Sequence, residues 1–244
     1  MSSIEEVTHA IRNARPRHVL VMTGAGVSAD SGIPTFRGEG GLWRNFRAEE
    51  LATPEAFRRD PKTVWEWYEW RRGIIRDARP NAAHEALARL PDAVIVTQNV
   101  DGLHARAGSP DVVELHGNIF RVKCVREGNP RLQPDAFPDL PPRCECGALL
   151  RPDVVWFGES LPPDAVERAV TSVHTSDLLL VIGTSGVVYP AAGFAQMHEG
   201  LSIEINPQTS ELATHCTYSV AARAAEAVPP IVDAIIESMT EARS

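Results

Sequence analysis

Two kinds of apolar pattern alternate along this chain. Continuous runs occur in "HVLVMTGAGVSADSG" from residue 18, in "AVIVTQN" at 93–99, in "DLLLVIGTS" at 177–185 and in "LSIEIN" at 201–206, each passing into small or polar residues. A short unbroken run of this kind reads as a strand covered on both faces. Between the runs, apolar residues recur at steps of three and four, the spacing of one helix face. Residues 4–14 carry that pattern, and so does "PPIVDAIIESM" near the end, which is placed to close the flank of a sheet. Strands alternating with helices predict an α/β fold, a doubly wound parallel sheet whose loops gather at the C-terminal strand ends. Two segments interrupt the alternation: an aromatic helical region from about 47 to 80, and a proline-rich stretch at 119–153 that holds three of the four cysteines. They predict a smaller lobe inserted into a single domain, whose large lobe takes about 1–46, 81–118 and 154–244.

Composition narrows the function classes. With 43% hydrophobic and 23% charged residues over 244 positions, the chain is an ordinary globular sequence of enzyme size. Its 24 basic and 32 acidic residues leave a net charge of -8, the wrong sign for a protein that holds nucleic acid by neutralising phosphates. No run approaches the roughly 20 apolar residues that cross a bilayer, and "MSSIEEVTHAIRN" lacks the apolar core of a signal peptide. A cytoplasmic protein with neither nucleic acid nor membrane among its partners is expected. In a reducing compartment, clustered cysteines read as metal chemistry before disulfides.

The segment "WEWYEWRR", residues 65–72, holds three of the five tryptophans. If residues 61–76 form a helix, Val64, Trp67, Tyr68, Arg71 and Ile75 share one face, with Tyr68 and Arg71 one turn apart. An arginine on an apolar face needs a partner for its charge. On the residues alone, an intramolecular Asp or Glu is the simplest candidate.

After the first run, Gly24-x-Gly26-x-x-Ala29 follows a strand and opens a helix, the setting in which backbone N–H groups approach a pyrophosphate. A purely structural turn is the alternative. A nicotinamide dehydrogenase would also show a second strand ending in an acidic residue roughly 20 positions on, where "PTFRGEGGLWRNFRAEE" reads as loop. In "VVELHGN", His116 follows a short apolar run and precedes a glycine, so its imidazole is presented at a loop edge and can accept a proton near neutral pH. His84 and His104 sit in helical patterns and read as structural.

Taken in order, "GAGVSADSGIPTFRG", "TQNVDGLH", "ELHG", "RPDVVWFGE", "IGTSGVVYPAA" and "IEINP" resemble the sirtuin family of NAD-dependent protein lysine deacylases, nearest its class III, the bacterial CobB-type and mitochondrial desuccinylase-like members. The resemblance runs from about residue 15 to 235 and implies a Rossmann-type sheet whose small lobe is part helical and part a cysteine-containing, zinc-ribbon-like module. It implies that NAD is a co-substrate: the acyl oxygen of a modified lysine attacks C1' of the nicotinamide ribose as nicotinamide departs. His116 then serves as general base on the ribose hydroxyls, and the products are 2'-O-acyl-ADP-ribose and free lysine. Asn99 and Asp101 match the pair that orients the ribose and the nicotinamide amide, with Gln98 on the ribose side. Gly24, Ala25 and Gly26 lead into a cofactor loop from Ala29 and Asp30 to Trp43, with Phe36 over the nicotinamide site and Arg37 near the phosphates. Gly183, Thr184, Ser185, Asn206 and the backbone near Ala224 hold the adenosine half. Val155 and Phe157 line the acyl-lysine tunnel, and the flanking backbone pairs with the substrate peptide, although "DVVWF" alone reads as a core strand. Tyr68 and Arg71 resemble the signature that reads succinyl, malonyl or glutaryl carboxylates, and Ala48 matches a small residue that leaves room for the longer acyl chain. Acyl-lysine proteins are the implied partners, metabolic enzymes such as acetyl-CoA synthetase among them.

The cysteines depart from the family's two C-x-x-C pairs. The first is reduced to "CVRE", with Cys124 followed by Glu127, and the second to "CEC", Cys144 and Cys146. Three thiolates with Glu127 or a nearby side chain suit a structural zinc, and a lobe held together without metal is the alternative. Other activities stay open at this stage: a mainly deacetylating enzyme, protein mono-ADP-ribosyl transfer, an oxidoreductase supported only by the glycine turn, and a non-catalytic acyl-lysine reader.

Overall fold

In this computed structural model, residues 1–35, 48–184, 191–208 and 210–241 are described. The strands in chain order are β1 (Val19–Thr23), β2 (Val94–Thr97), β3 (Val112–Glu114), β4 (Gly117–Cys124), β5 (Pro130–Leu132), β6 (Leu150–Val154), β7 (Leu178–Ile182), β8 (Leu201–Ile205) and β9 (Tyr218–Val220). The α-helices are α1 (Ile4–Ala14), α2 (Ala48–Leu51), α3 (Pro54–Arg59), α4 (Pro61–Asp77), α5 (Ala82–Leu87), α6 (Leu103–Arg106), α7 (Pro163–Thr175), α8 (Ala191–Met197) and α9 (Ala224–Glu241). Among the described residues no helix is long and apolar enough to cross a membrane.

Six strands form one sheet in the order β3–β2–β1–β7–β8–β9, with every neighbouring pair parallel. The unbroken runs are unbroken because both faces are covered. Val19 and Val21 of β1 pack with α1, α5 and α9, while Leu20 and Met22 face the side of α7 and α8. The chain steps outward from β1 to β3 and then returns to lay β7 on the other side of β1. Such a reversal opens a crevice at the C-terminal strand ends, where doubly wound sheets bind ligands.

A three-stranded antiparallel sheet, β5–β4–β6, packs with α3 and α4 around a separate aromatic core. Asp60 caps α4 by accepting from the Thr63 amide at 3.1 Å, and Pro61 occupies the first helical position, where a missing N–H costs nothing. Trp65 and Arg72 are buried in α4 as completely as Tyr68, so the helix is covered on more than the single face its spacing suggests. Arg72, the neighbour of Arg71, has no exposed surface.

Candidate active site

The loops after β1 and β7 meet at the reversal point so closely that side chains do not fit between them. A Cβ on Gly26 would lie 2.7 Å from the Gly183 Cα, and one on Gly183, whose φ is +61°, would lie 2.4 Å from the Val27 nitrogen. Gly24 donates its N–H to the Ile182 carbonyl at 3.0 Å and Gly26 to the Gly183 carbonyl at 2.8 Å. These glycines therefore serve contact between two loops, and their own amides are engaged in it. A tight 3₁₀ turn, Ala25–Ser31, follows in place of an α-helical start.

Ser28 organises the centre of this edge. Its hydroxyl donates to Asp101 Oδ2 at 2.8 Å and accepts from Asn99 Nδ2 at 3.3 Å; Asn99 Nδ2 also donates to the Gly24 carbonyl at 3.0 Å. His84 Nε2 stands 3.4 Å from the same hydroxyl. Behind it, Thr23 links Thr97, which accepts the Asn99 amide, to His104 Nε2 at 2.9 Å. Burial lowers the pKa of His84 to about 4, against the opposing pull of Asp101, and that of His104 to about 3, with His84 adding to the shift. Both rings are neutral at pH 7.

His116 follows β3, and its carbonyl accepts the Val155 amide at 2.9 Å, which brings the stretch after β6 alongside. Gly117 turns the chain with φ +78°; a Cβ there would lie 2.1 Å from the Asp153 carbonyl oxygen. The ring Nδ1 is 2.9 Å from the Gln98 carbonyl. A carbonyl only accepts, so Nδ1 carries the proton and Nε2 keeps its lone pair. Burial holds the ring's pKa below the ordinary value, partly offset by that hydrogen bond.

The α4 residues complete the opposite wall. A pocket is lined by Ala25, Ser28, Ile33, Arg71, Asn99 and Asp101, together with neighbouring apolar atoms. The Arg71 guanidinium lies 4.8 Å from the Trp67 ring centroid and 5.8 Å from that of Tyr68. Desolvation lowers its pKa, while Tyr68 and Asp101 pull the other way. Tyr68 is fully buried, which raises its pKa and keeps it a phenol, and its oxygen accepts the Trp156 indole N–H at 2.8 Å. The neighbouring Arg72 pairs with a carboxylate of its own helix: its Nη1 is 2.9 Å from Glu69, and its Nη2 donates to the Asp135 carbonyl at 2.9 Å and to that of Gln133.

The Sir2 family profile matches residues 24–190, a span that contains most of these groups. The chain belongs to the Sir2 family. It is 54% identical to the NAD-dependent protein deacylase of Aquifex aeolicus over 204 residues, 80% of this chain and 85% of that protein. It is 50% identical to NAD-dependent protein deacylase 2 of Pyrobaculum aerophilum, over 91% of this chain and 92% of that protein. Among solved structures, a Sir2 homologue–NAD complex superposes with a TM-score of 0.87 at 43% identity, covering 96% of this chain and 94% of that one. A Sir2–p53 peptide–NAD+ complex superposes at 0.81 and 30% identity, covering 99% of each chain.

In this sirtuin the expected residues sort as follows. Gly24, Ala25, Gly26, Ala29 and Asp30 lie at the end of β1; Gln98, Asn99 and Asp101 follow β2; Gly183 and Thr184 follow β7; Asn206 follows β8; and Ala224 opens α9. Thr184 Oγ1 donates to Gln98 Oε1 at 3.1 Å, and Asn206 Nδ2 donates to the Thr184 carbonyl at 2.9 Å. Asp30 pairs with Arg223. Phe36, Arg37, Trp43 and Ser185 lie outside the described residues, as does the side chain of Ala48. Val155 and Phe157 follow β6, with Phe157 half exposed. Sequence reasoning assigned no role to Ser28 or Trp156. Ser28 stood inside a quoted motif, but its partners Asn99 and Asp101 are more than seventy residues away.

The cysteines come together at two glycine turns. Gly128 donates back to the Cys124 carbonyl and Gly147 to that of Cys144, each at 2.8 Å and each with positive φ. Cys124, Glu127, Cys144 and Cys146 thereby offer ligand atoms that all lie within 4.8 Å of one another. Three thiols and a carboxylate at that spacing fit a tetrahedral zinc. They lie outside the pocket lined by Asn99 and Asp101, so a metal there is structural in kind.

Proposed function

We propose that this sirtuin is an NAD-dependent protein-lysine deacylase that removes succinyl and malonyl groups as well as acetyl. Family membership and relatives named as NAD-dependent protein deacylases support the reaction class. One observation carries the acyl preference: Arg71 lines the same pocket as Asn99 and Asp101.

Bound NAD supplies the activated ribose carbon that accepts the acyl group. The chain's own residues do the rest. His116, with Nδ1–H fixed on Gln98, has Nε2 available to take a ribose hydroxyl proton, and its lowered pKa keeps it unprotonated at neutral pH. Asn99 and Asp101 are held by Ser28 in single orientations suited to gripping the nicotinamide amide and ribose. Thr184 and Asn206, on the adenosine side, are linked in one polar row to Gln98 on the ribose side. Arg71 presents a fork of donors and Tyr68 a hydroxyl, the complement of a carboxylate at the end of an acyl chain. Hydrogen bonds to a charged group contribute about 1.5–3 kcal/mol each, enough to set acyl preference. Zinc held by Cys124, Cys144, Cys146 and Glu127 would brace the small lobe.

The test is an NAD-dependent assay on one peptide bearing succinyl-, malonyl- or acetyl-lysine, following nicotinamide release. Higher kcat/KM for the two acidic acyl groups is expected. A higher value for acetyl would leave a deacetylase and remove the carboxylate role of Arg71.

A further inference from the structure

We infer that Trp156 is a specificity-determining positioning residue, which sets the direction of the Tyr68 proton toward the acyl carboxylate; this rests on the reading of Tyr68 and Arg71 given above. The indole nitrogen is a donor only. At 2.8 Å from the Tyr68 oxygen it therefore occupies a lone pair, and the phenol's single proton is left to be given elsewhere. Among the described residues, the indole is the hydrogen-bond partner of that hydroxyl, and both side chains are buried, so no bulk solvent competes for the geometry. A phenol that accepts from one side and donates from the other is a stronger donor than one free to rotate. The acceptor that gains most from it is an anion.

The indole is itself fixed. Arg151 lies over its ring, with Cζ 3.4 Å from the centroid, and spans Glu159 through Nη1 at 2.5 Å and Nη2 at 2.8 Å. Glu159 Oε2 also accepts the Trp156 backbone N–H at 2.9 Å, and Phe57 packs against the ring at 5.3 Å between centroids. The run Glu159–Arg151–Trp156–Tyr68 thus joins the stretch after β6 to the acyl-facing helix across 88 residues of sequence. Its effect falls on the acyl chain's far end and not on the ribose chemistry.

The experiment compares kcat/KM for succinyl- and acetyl-lysine forms of one peptide in Trp156→Phe, Tyr68→Phe, the double variant and Arg71→Met, with thermal melts of each. Trp156→Phe is expected to lower the succinyl-to-acetyl ratio roughly two- to tenfold, mainly through the succinyl KM. In the Tyr68→Phe background the same change is expected to have no further effect on the ratio. An equal loss on both peptides, or a loss that persists without the Tyr68 hydroxyl, overturns the inference. If Trp156→Phe does not fold, the ratio is read in Glu159→Gln, where a fall supports the inference and an unchanged ratio overturns it. A ratio unmoved by Arg71→Met sinks the acyl reading itself, and the inference with it. A ratio lowered by Arg71→Met but not by Trp156→Phe sinks the role of Trp156 alone.

Discussion

The His116 Nδ1 meets the Gln98 backbone carbonyl, which only accepts, so that nitrogen carries the proton and the other is left basic. Because burial lowers the pKa of His116, protonation that would silence it as the proposed base sets in only below the ordinary value near 6.5. The acid limb of kcat for deacylation is therefore expected below pH 6.5, and a midpoint above it would contradict the buried, neutral ring. In the proposed role Arg71 works by charge, so Arg71→Met, which keeps length and loses the guanidinium, should lower desuccinylation by roughly ten- to over a hundredfold, from about 1.5–3 kcal/mol of charge-assisted bonding. Deacetylation should change far less; equal losses in parallel assays would refute the role. These residues could be proposed from sequence because they stand within short motifs that resemble the family's. Ser28 and Trp156 were not, because each acts through a hydrogen bond to a residue more than seventy positions away, which local pattern does not encode.

The helix α4 carries two adjacent arginines in different surroundings. Arg71 faces the pocket, while Arg72 turns inward to Glu69, to carbonyls of the 133–135 loop, and to the faces of Phe120 and Phe137 at 5.7 and 5.4 Å. Periodicity singled out Arg71 as the buried charge because it assumes one apolar face. Trp65, which donates to the Leu150 carbonyl at 2.8 Å, gives the helix a second buried face, and a sequence window cannot tell which side a lobe will cover. The long helix α9 was readable only from Pro229, since proline is a frequent first helical residue, whereas the helix begins at Ala224 and takes both prolines inside. β3 and β9, at three residues each, are too short for a pattern of their own. For Arg72→Met, removal of one partner from a buried pair should cost about 3 kcal/mol. Denaturant melts should show it, and adding Glu69→Gln should restore part of the loss. No recovery in the double variant would mean that the carbonyl contacts, and not the ion pair, hold the helix.

At the scale of the molecule, one apolar core lies on each face of the large sheet and a third fills the small lobe, while the polar site occupies the sheet's C-terminal edge. That layout was legible from the order of strands and helices, because a parallel sheet must cover both faces. The small lobe's closure was legible in part: Cys124, Cys144, Cys146 and Glu127 do come together, although the first pair has Glu127 in place of a cysteine and the second is one residue short. If zinc ties its two turns together, chelation should lower the melting temperature, and Glu127→Ala should lose zinc to a chelator sooner than the parent protein does. Equal retention would mean that Glu127 is not a ligand. The large lobe has its own liability in the tilted, closely packed rings of His84 and His104, 4.8 Å apart between centroids, beside Ser28, Thr23 and Asp101. With folded pKa values of about 4 and about 3, these histidines bind fewer protons than they do in the unfolded chain anywhere below their ordinary 6.5. Their contribution is thus complete above pH 6.5 and is lost as pH falls from there toward 3, each removing up to about 1.4 kcal/mol per pH unit. Because His104 is lodged between Thr23 and His84, its replacement should lower stability at pH 7 and flatten the acid slope as well. Denaturant melts of His104→Gln and the parent between pH 7 and pH 4 should therefore converge on acidification; parallel curves would mean that acid sensitivity originates outside this pair.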